Sequence, residues 1–229
     1  MAHTCAPPQE KSSSMSNFEY IISSLPYLTL DYKYAGGEGF GTVISEIKDN
    51  LGEKDTAALD NLLEGFNPEK LDADFYASAL KNPVKFIREY FRFDLNLRNA
   101  KVRYLNGALG RPADMDIMSG KGGEYDEDLD IDLNRFTGGE FEESAKVQDA
   151  LAEESLLERE RALDSITWEK ISSLETFHYF DITAVLAYVA KLHIVDRWLS
   201  LDEETGRELF RKLVKEVKGT FKGVEYNER

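Results

Sequence analysis

Between Pro83 and about Leu105 the apolar residues fall in two rows at helical spacing. One row runs through Phe86, Tyr90, Phe93, Leu97, Ala100 and Tyr104; beside it lie Ile87, Phe91, Leu95, Val102 and Leu105. The second row is interrupted by Asp94 and Arg98, with Asn96 and Asn99 alongside. An acid followed four residues later by a base is a favourable exposed helix pair, worth a few tenths of a kcal/mol. Here its apolar neighbours place it under partial cover, and covered charges require partners. From the residues alone, the plainest reading is a satisfied polar patch in a bundle core.

The same pattern predicts helices over Thr42 to Leu51, Lys54 to Phe66 and Lys70 to Leu80. Pro83 and Pro68 suit the opening turns of the segments they precede, because the first helical N–H needs no partner. "FEYIISSLPYLTL", Phe18 to Leu30, is short, apolar and broken by Pro26, so it reads as a strand or a buried helical turn. From Glu140 to Thr205 there is neither glycine nor proline. The stretch up to Phe177 reads as one long helix, or two nearly continuous ones, ending near His178, whose cation favours a helix C-terminus. Asp181 is the N-cap expected for "ITAVLAYVAKLHIVDRWLSL", and Ser200 to Glu203 has capping-box spacing before a last helix. The fold class expected is all-α. An acidic, Gly/Asp-rich loop from Gly107 to Gly139 separates a tail (1–16) and an N-terminal helical unit (17–106) from a C-terminal unit (140–229).

Composition narrows the function. The 229 residues are 42% hydrophobic and 31% charged, and no apolar run approaches the ~20 residues of a membrane span. A formal charge of -15 argues against a nucleic-acid partner and favours a partner with a basic face. The single cysteine, Cys5, lies in a tail without the charge and hydropathy pattern of a secretory signal, so a bacterial cytoplasm is expected. That tail reads as disordered or as an over-extended start, with Met15 opening a cleaner beginning.

Three motifs imitate chemistry. "GEGFGTV", Gly37 to Val43, is one residue short of a kinase glycine loop and lacks the lysine, "HRD" and "DFG" that accompany one. "DLDIDLN", Asp128 to Asn134, begins like a calcium loop, but its sixth and twelfth positions are Leu133 and Gly139. Glu175 and His178 form an E-x-x-H of the di-iron type, without the second E-x-x-H that such a site needs. The other histidines, His3 and His193, supply no catalytic grouping. The expectation is a non-enzymatic protein with no metal or cofactor.

"FIREYFRFDLNLRNAKVRYLNG" resembles a helix of the family formed by the C subunit of A-type ATPases and the d subunit of V-type ATPases, where an acidic residue precedes an N-L-R-N-type run. "FDITAVLAYVAKLHIVDRWLSL", Phe180 to Leu201, resembles a degenerate second copy; at an offset of 99, Asp94 meets His193 and Arg98 meets Arg197. The opening "NFEYIISSLPYLTLD" resembles uncharacterised bacterial proteins encoded among V-type ATPase subunits. The resemblance implies a helical bundle of two related units, and a packing set of Asp94, Asn96, Arg98 and Asn99 with Tyr188, Asp196 and Arg197. It further implies a non-catalytic cap linking the central stalk to the membrane rotor ring, peripheral to the inner membrane. The partners implied are the V/A-type ATPase central-stalk subunits and rotor ring, with no direct small-molecule substrate. A free-standing helical adaptor and a carboxylate metalloenzyme using Glu175 and His178 are the rival readings. Under the leading one, Arg98→Leu is expected to harm folding or assembly.

Overall fold

The computed structural model describes residues 16–30, 39–118 and 141–200, and every regular element among them is helical. In chain order these are α1 (Phe18–Ser24), α2 (Phe40–Asp49), α3 (Glu53–Glu64), a 3-10 turn (Pro68–Lys70), α4 (Ala73–Lys81), α5 (Lys85–Ala108), α6 (Ser144–Leu151), α7 (Leu156–Glu175) and α8 (Ile182–Leu199). No helix among the described residues is long and apolar enough to cross a membrane. The calcium-like segment 128–134, Cys5, His3 and the expected last helix lie outside the described residues, as does most of the acidic loop.

Side-chain caps set several of the boundaries. Asn17, Asp72, Ser155 and Asp181 each accept from a backbone N–H in the first turn of the following helix, satisfying a donor that otherwise has no partner. Asp181 does so as expected, accepting from Ala184 N at 3.2 Å. The ambiguous N-terminal stretch is helical over α1, and it ends before Pro26. The glycine motif is no loop beyond Gly39, which sits at the N-cap of α2 with Phe40 already in the helix. The long Glu140–Phe177 segment is two helices broken at 152–155. The break occurs because Ser155 caps a new start, accepting from Glu158 N at 3.4 Å. His178 does not end α7, which stops at Glu175; it lies in the turn before α8.

Helix α5 is the centre of the fold. Phe86, Ile87, Tyr90, Phe91 and Leu95 enter a large apolar cluster with residues of α1 to α4 and α8. Phe93 and Leu97 enter a smaller one with Val147, Ala150 and Leu151 of α6 and Leu163 and Ile166 of α7. The two sequence rows therefore do not map onto two faces: the first is shared between both clusters. Helix α8 is apolar on nearly every side, and such a helix is stable only when surrounded. It packs on α7 and also on α1, α2 and α3, so residues from both sides of the 107–139 segment belong to one core. The helices matched by the 99-residue offset have different principal neighbours: α4, α6 and α7 for α5, against α7, α1, α2 and α3 for α8.

Part of the expected loop is built onto α5. Asn99 and Asn106 lie two turns apart and both are buried. Asn99 Nδ2 donates to Met118 O at 3.0 Å, and its Oδ1 accepts from Met118 N at 2.9 Å. Asn106 Nδ2 donates to Met115 O at 2.6 Å and Ala113 O at 3.2 Å. Asn99 and Asn106 thus satisfy backbone groups of the chain that turns back along the helix.

Candidate functional site

The charged pair that interrupts α5 opens onto a cleft of about 460 Å³ between the end of α3, α5, α7 and α8. Asp94, Arg98 and Lys101 reach it from α5, Asp164 and Thr167 from α7, and His193 and Arg197 from α8. Arg98 Nε donates to Asp94 Oδ2 at 2.7 Å, and Tyr76 Oη of α4 donates to the same oxygen at 2.5 Å. Burial, and then the Asp94 carboxylate, push the Tyr76 phenol above its ordinary pKa, so it remains a neutral donor. Burial works against the charge of Arg98, but Asp94 and Tyr76 together hold its pKa above the ordinary value. Across the cleft Arg197 pairs with Asp164, which also accepts from Trp198 Nε1 at 2.5 Å.

The residues matched by the 99-residue offset therefore meet at one cleft, with different partners. Asp94 and Arg98 pair with each other, whereas Arg197 pairs with Asp164 from another helix. His193 takes no part in an ion pair among the described residues. Its ring stacks on Phe66, with centroids 3.9 Å apart and planes 4° apart. Burial, and then the neighbouring Arg197, lower its pKa to about 4.

A histidine held neutral in the fold but free to protonate at about 6.5 when unfolded makes stability fall as pH drops from 6.5 toward 4. Between pH 7 and pH 5 the contribution is roughly 2 kcal/mol. Urea melts of the wild type and His193→Phe at the two pH values measure it. The variant is expected to lose that much less stability on acidification, and an equal loss overturns the assignment.

The other expected packing residues are dispersed. Asn96 is buried without a protein hydrogen-bond partner among the described residues, and Asn99 anchors Met118. Tyr188 Oη donates to Pro26 O at 2.9 Å, tying α8 to the chain after α1. Asp196 is half-buried, and its backbone carbonyl accepts from Ser200 Oγ. Tyr76, Asn106 and Asp164 are not singled out by the sequence, and Tyr90 reads there only as an apolar position of its row. For Asp164 the signal was available, since it interrupts the apolar positions Leu163 and Ile166 much as Asp94 interrupts those of α5.

Among the described residues no group of three His, Cys, Asp or Glu side chains is arranged to hold a metal ion. Glu175 and His178 are engaged separately. Glu175 accepts from Lys191 Nζ at 2.5 Å, and His178 Nδ1 donates to Asp181 Oδ2 at 2.5 Å. Because α7 stops at Glu175, the two are not on one helical face.

Beside this turn is a second surface. Phe177 (83% exposed), Tyr179, Phe180 and, after α1, Tyr27 (82% exposed) present large rings to solvent. Tyr27 and Tyr179 border a groove of about 510 Å³ with Trp168 and Tyr188 in its lining. Phe177 holds φ at +70°, an unfavourable conformation for a bulky residue, so the ring is displayed at a conformational cost.

No curated protein and no solved structure matches the chain. A family described as "Protein of unknown function (DUF2764)" matches residues 66–220, a span that begins at Phe66 and takes in every residue lining the cleft except Gly65. That span covers more than half of the chain, which therefore belongs to this family.

Proposed function

We propose that the protein is a non-catalytic component of a bacterial V/A-type rotary ATPase, a cap of the C/d type between the central stalk and the membrane rotor ring. The observation that carries this reading is the exposed aromatic face of Tyr27, Phe177, Tyr179 and Phe180. Large aromatic side chains held out in water are the residues that permanent protein–protein interfaces cover, and they are enriched in the positions that dominate binding. The face favours a fixed place in an assembly over a free adaptor acting through its acidic loop. The resemblance of Phe86–Tyr104 to the helix of the C/d family supports the rotary assembly in particular. In α5 the acid-first pair and Asn99 hold helix to helix and chain to helix, the kind of structural work that resemblance implies. The overall charge of -15 suits a basic stalk foot.

Affinity purification of the tagged full chain from native membranes tests this. Rotor-ring and central-stalk proteins are expected to co-purify. A triple variant, Phe177→Ser with Tyr179→Ser and Phe180→Ser, is expected to lose them while its melting temperature stays near wild type, because these rings are exposed. Recovery of the wild-type chain without any ATPase component refutes the proposal.

A further inference from the structure

The cleft holds more hydrogen-bond donors than its own acceptors use. Arg98 donates to Asp94 through Nε and also hydrogen-bonds the Tyr76 hydroxyl, and its terminal nitrogens have no carboxylate partner among the described residues. Arg197 likewise spends one terminal nitrogen on Asp164. Lys101 is only loosely held, with Nζ 3.9 Å from Glu160. Tyr90 lines the cleft at 8% exposure, and its hydroxyl has no protein partner among the described residues. The hydroxyl is thus left facing the open cleft as a donor that a bound acceptor can take up.

The charges are also arranged unequally. The side chains of Asp94 and Asp164 are 19% and 9% exposed, whereas those of Arg98 and Arg197 are both 44% exposed. The carboxylates lie behind the guanidinium groups they orient, so the open surface of the cleft is cationic within a chain of net charge -15. Arginine presents a planar fork matched to oxyanions, and a carboxylate behind it holds the fork in place. Phe66 with the neutral His193 ring supplies a flat wall, and Leu97, Leu163 and Ile194 supply apolar lining.

From this geometry we infer that the cleft between α5, α7 and α8 is a binding site for a small phosphate-bearing molecule, held by Arg98, Lys101, Arg197 and the Tyr90 hydroxyl. A phosphate group offers several acceptor oxygens and up to two negative charges, enough for converging donors that a single carboxylate would leave unfilled. The volume of about 460 Å³ admits a group larger than phosphate alone, with its remainder against the Phe66–His193 wall. The molecule is small because the acidic surface outside the cleft repels an extended polyanion. It is a ligand that is held, and the site is independent of the aromatic face used for assembly.

Inorganic pyrophosphate is the probe, titrated into the purified full chain by calorimetry at pH 7.5 and low salt. Saturable binding with a dissociation constant below about 1 mM is expected, weakening as ionic strength rises. Lys101→Gln is expected to weaken binding about tenfold, and Tyr90→Phe about three- to tenfold. Both substitutions leave the apolar packing intact, so thermal melts of the free variants check that the fold survives. Pyrophosphate is expected to raise the wild-type melting temperature more than that of either variant. No saturable heat up to about 10 mM overturns the inference, as does wild-type affinity in both folded variants. Loss of ATPase association with pyrophosphate binding intact would refute the assembly role alone.

Discussion

Gly65→Ala is expected to destabilise the protein by about 3 kcal/mol, measured as a lowered midpoint in urea with an unchanged slope. Gly65 closes α3 with ordinary right-handed backbone angles, so the glycine is not required by conformation. It is required by space. A Cβ there would overlap Cε1 and Cζ of the Phe91 ring and stand 2.9 Å from Cζ of Phe75. Those rings pack edge to face at 4.9 Å, and both are buried in the core where α3, α4 and α5 meet. Neither ring is a loose end that can swing aside, because packed interiors have little free volume. A double-mutant cycle separates this overlap from any general loss of flexibility. Phe91→Leu alone costs about 1.5 kcal/mol, but it makes room for the methyl group. The double variant is then expected to be more stable than the sum of the single changes predicts. Strict additivity would show that the Phe91 ring is not what excludes a side chain at Gly65.

Helices announced themselves where a single rule governed them. The apolar rows of α5 were visible because a helix of 24 residues repeats its faces many times. The cap at Asp181 was visible because a short polar residue stood immediately before an apolar run. The break between α6 and α7 carried an equally local sign, the serine and glutamate of "SLLE" at capping-box spacing, but it was masked by uniform helix propensity on both sides. What the chain could not display was pairing over distance. Asp94 and Arg98 are four residues apart, so their contact followed from helical geometry. Asp164 and Arg197 are 33 residues apart and meet only because α7 and α8 turn back on each other at Phe177–Asp181. The cleft has the same origin. Tyr90 reads as one more apolar position in its row, and nothing local marks that its hydroxyl faces two ion pairs contributed by three helices.

That difference between local and distant pairing decides which arginine matters more to the fold. Arg197→Leu is expected to cost about 2–3 kcal/mol, and Arg98→Leu about 1 kcal/mol or less, in urea melts at pH 7. Both arginine side chains are 44% exposed, so solvent screens each cation similarly. The carboxylates left behind are not equivalent. Asp94 is the more open acid, 19% exposed in the intact fold, and without Arg98 it keeps the hydrogen bond from Tyr76. Asp164 is 9% exposed in the intact fold, and without Arg197 it keeps only the Trp198 indole N–H, a neutral donor, so a deeply set carboxylate loses its cation. The size of the effect therefore comes from the abandoned acid and not from the arginine removed. Replacing the acid as well tests this: Asp164→Leu with Arg197→Leu is expected to recover at least half of the single-variant loss, since no uncompensated charge remains. The resemblance carried by the interrupted stripe of α5 had pointed to Arg98 as a residue whose loss would harm folding or assembly. If Arg98→Leu proved the more damaging of the two, that stripe would be the true keystone of the bundle. The Asp164–Arg197 contact between α7 and α8 would then merely accompany helices already held by their apolar faces.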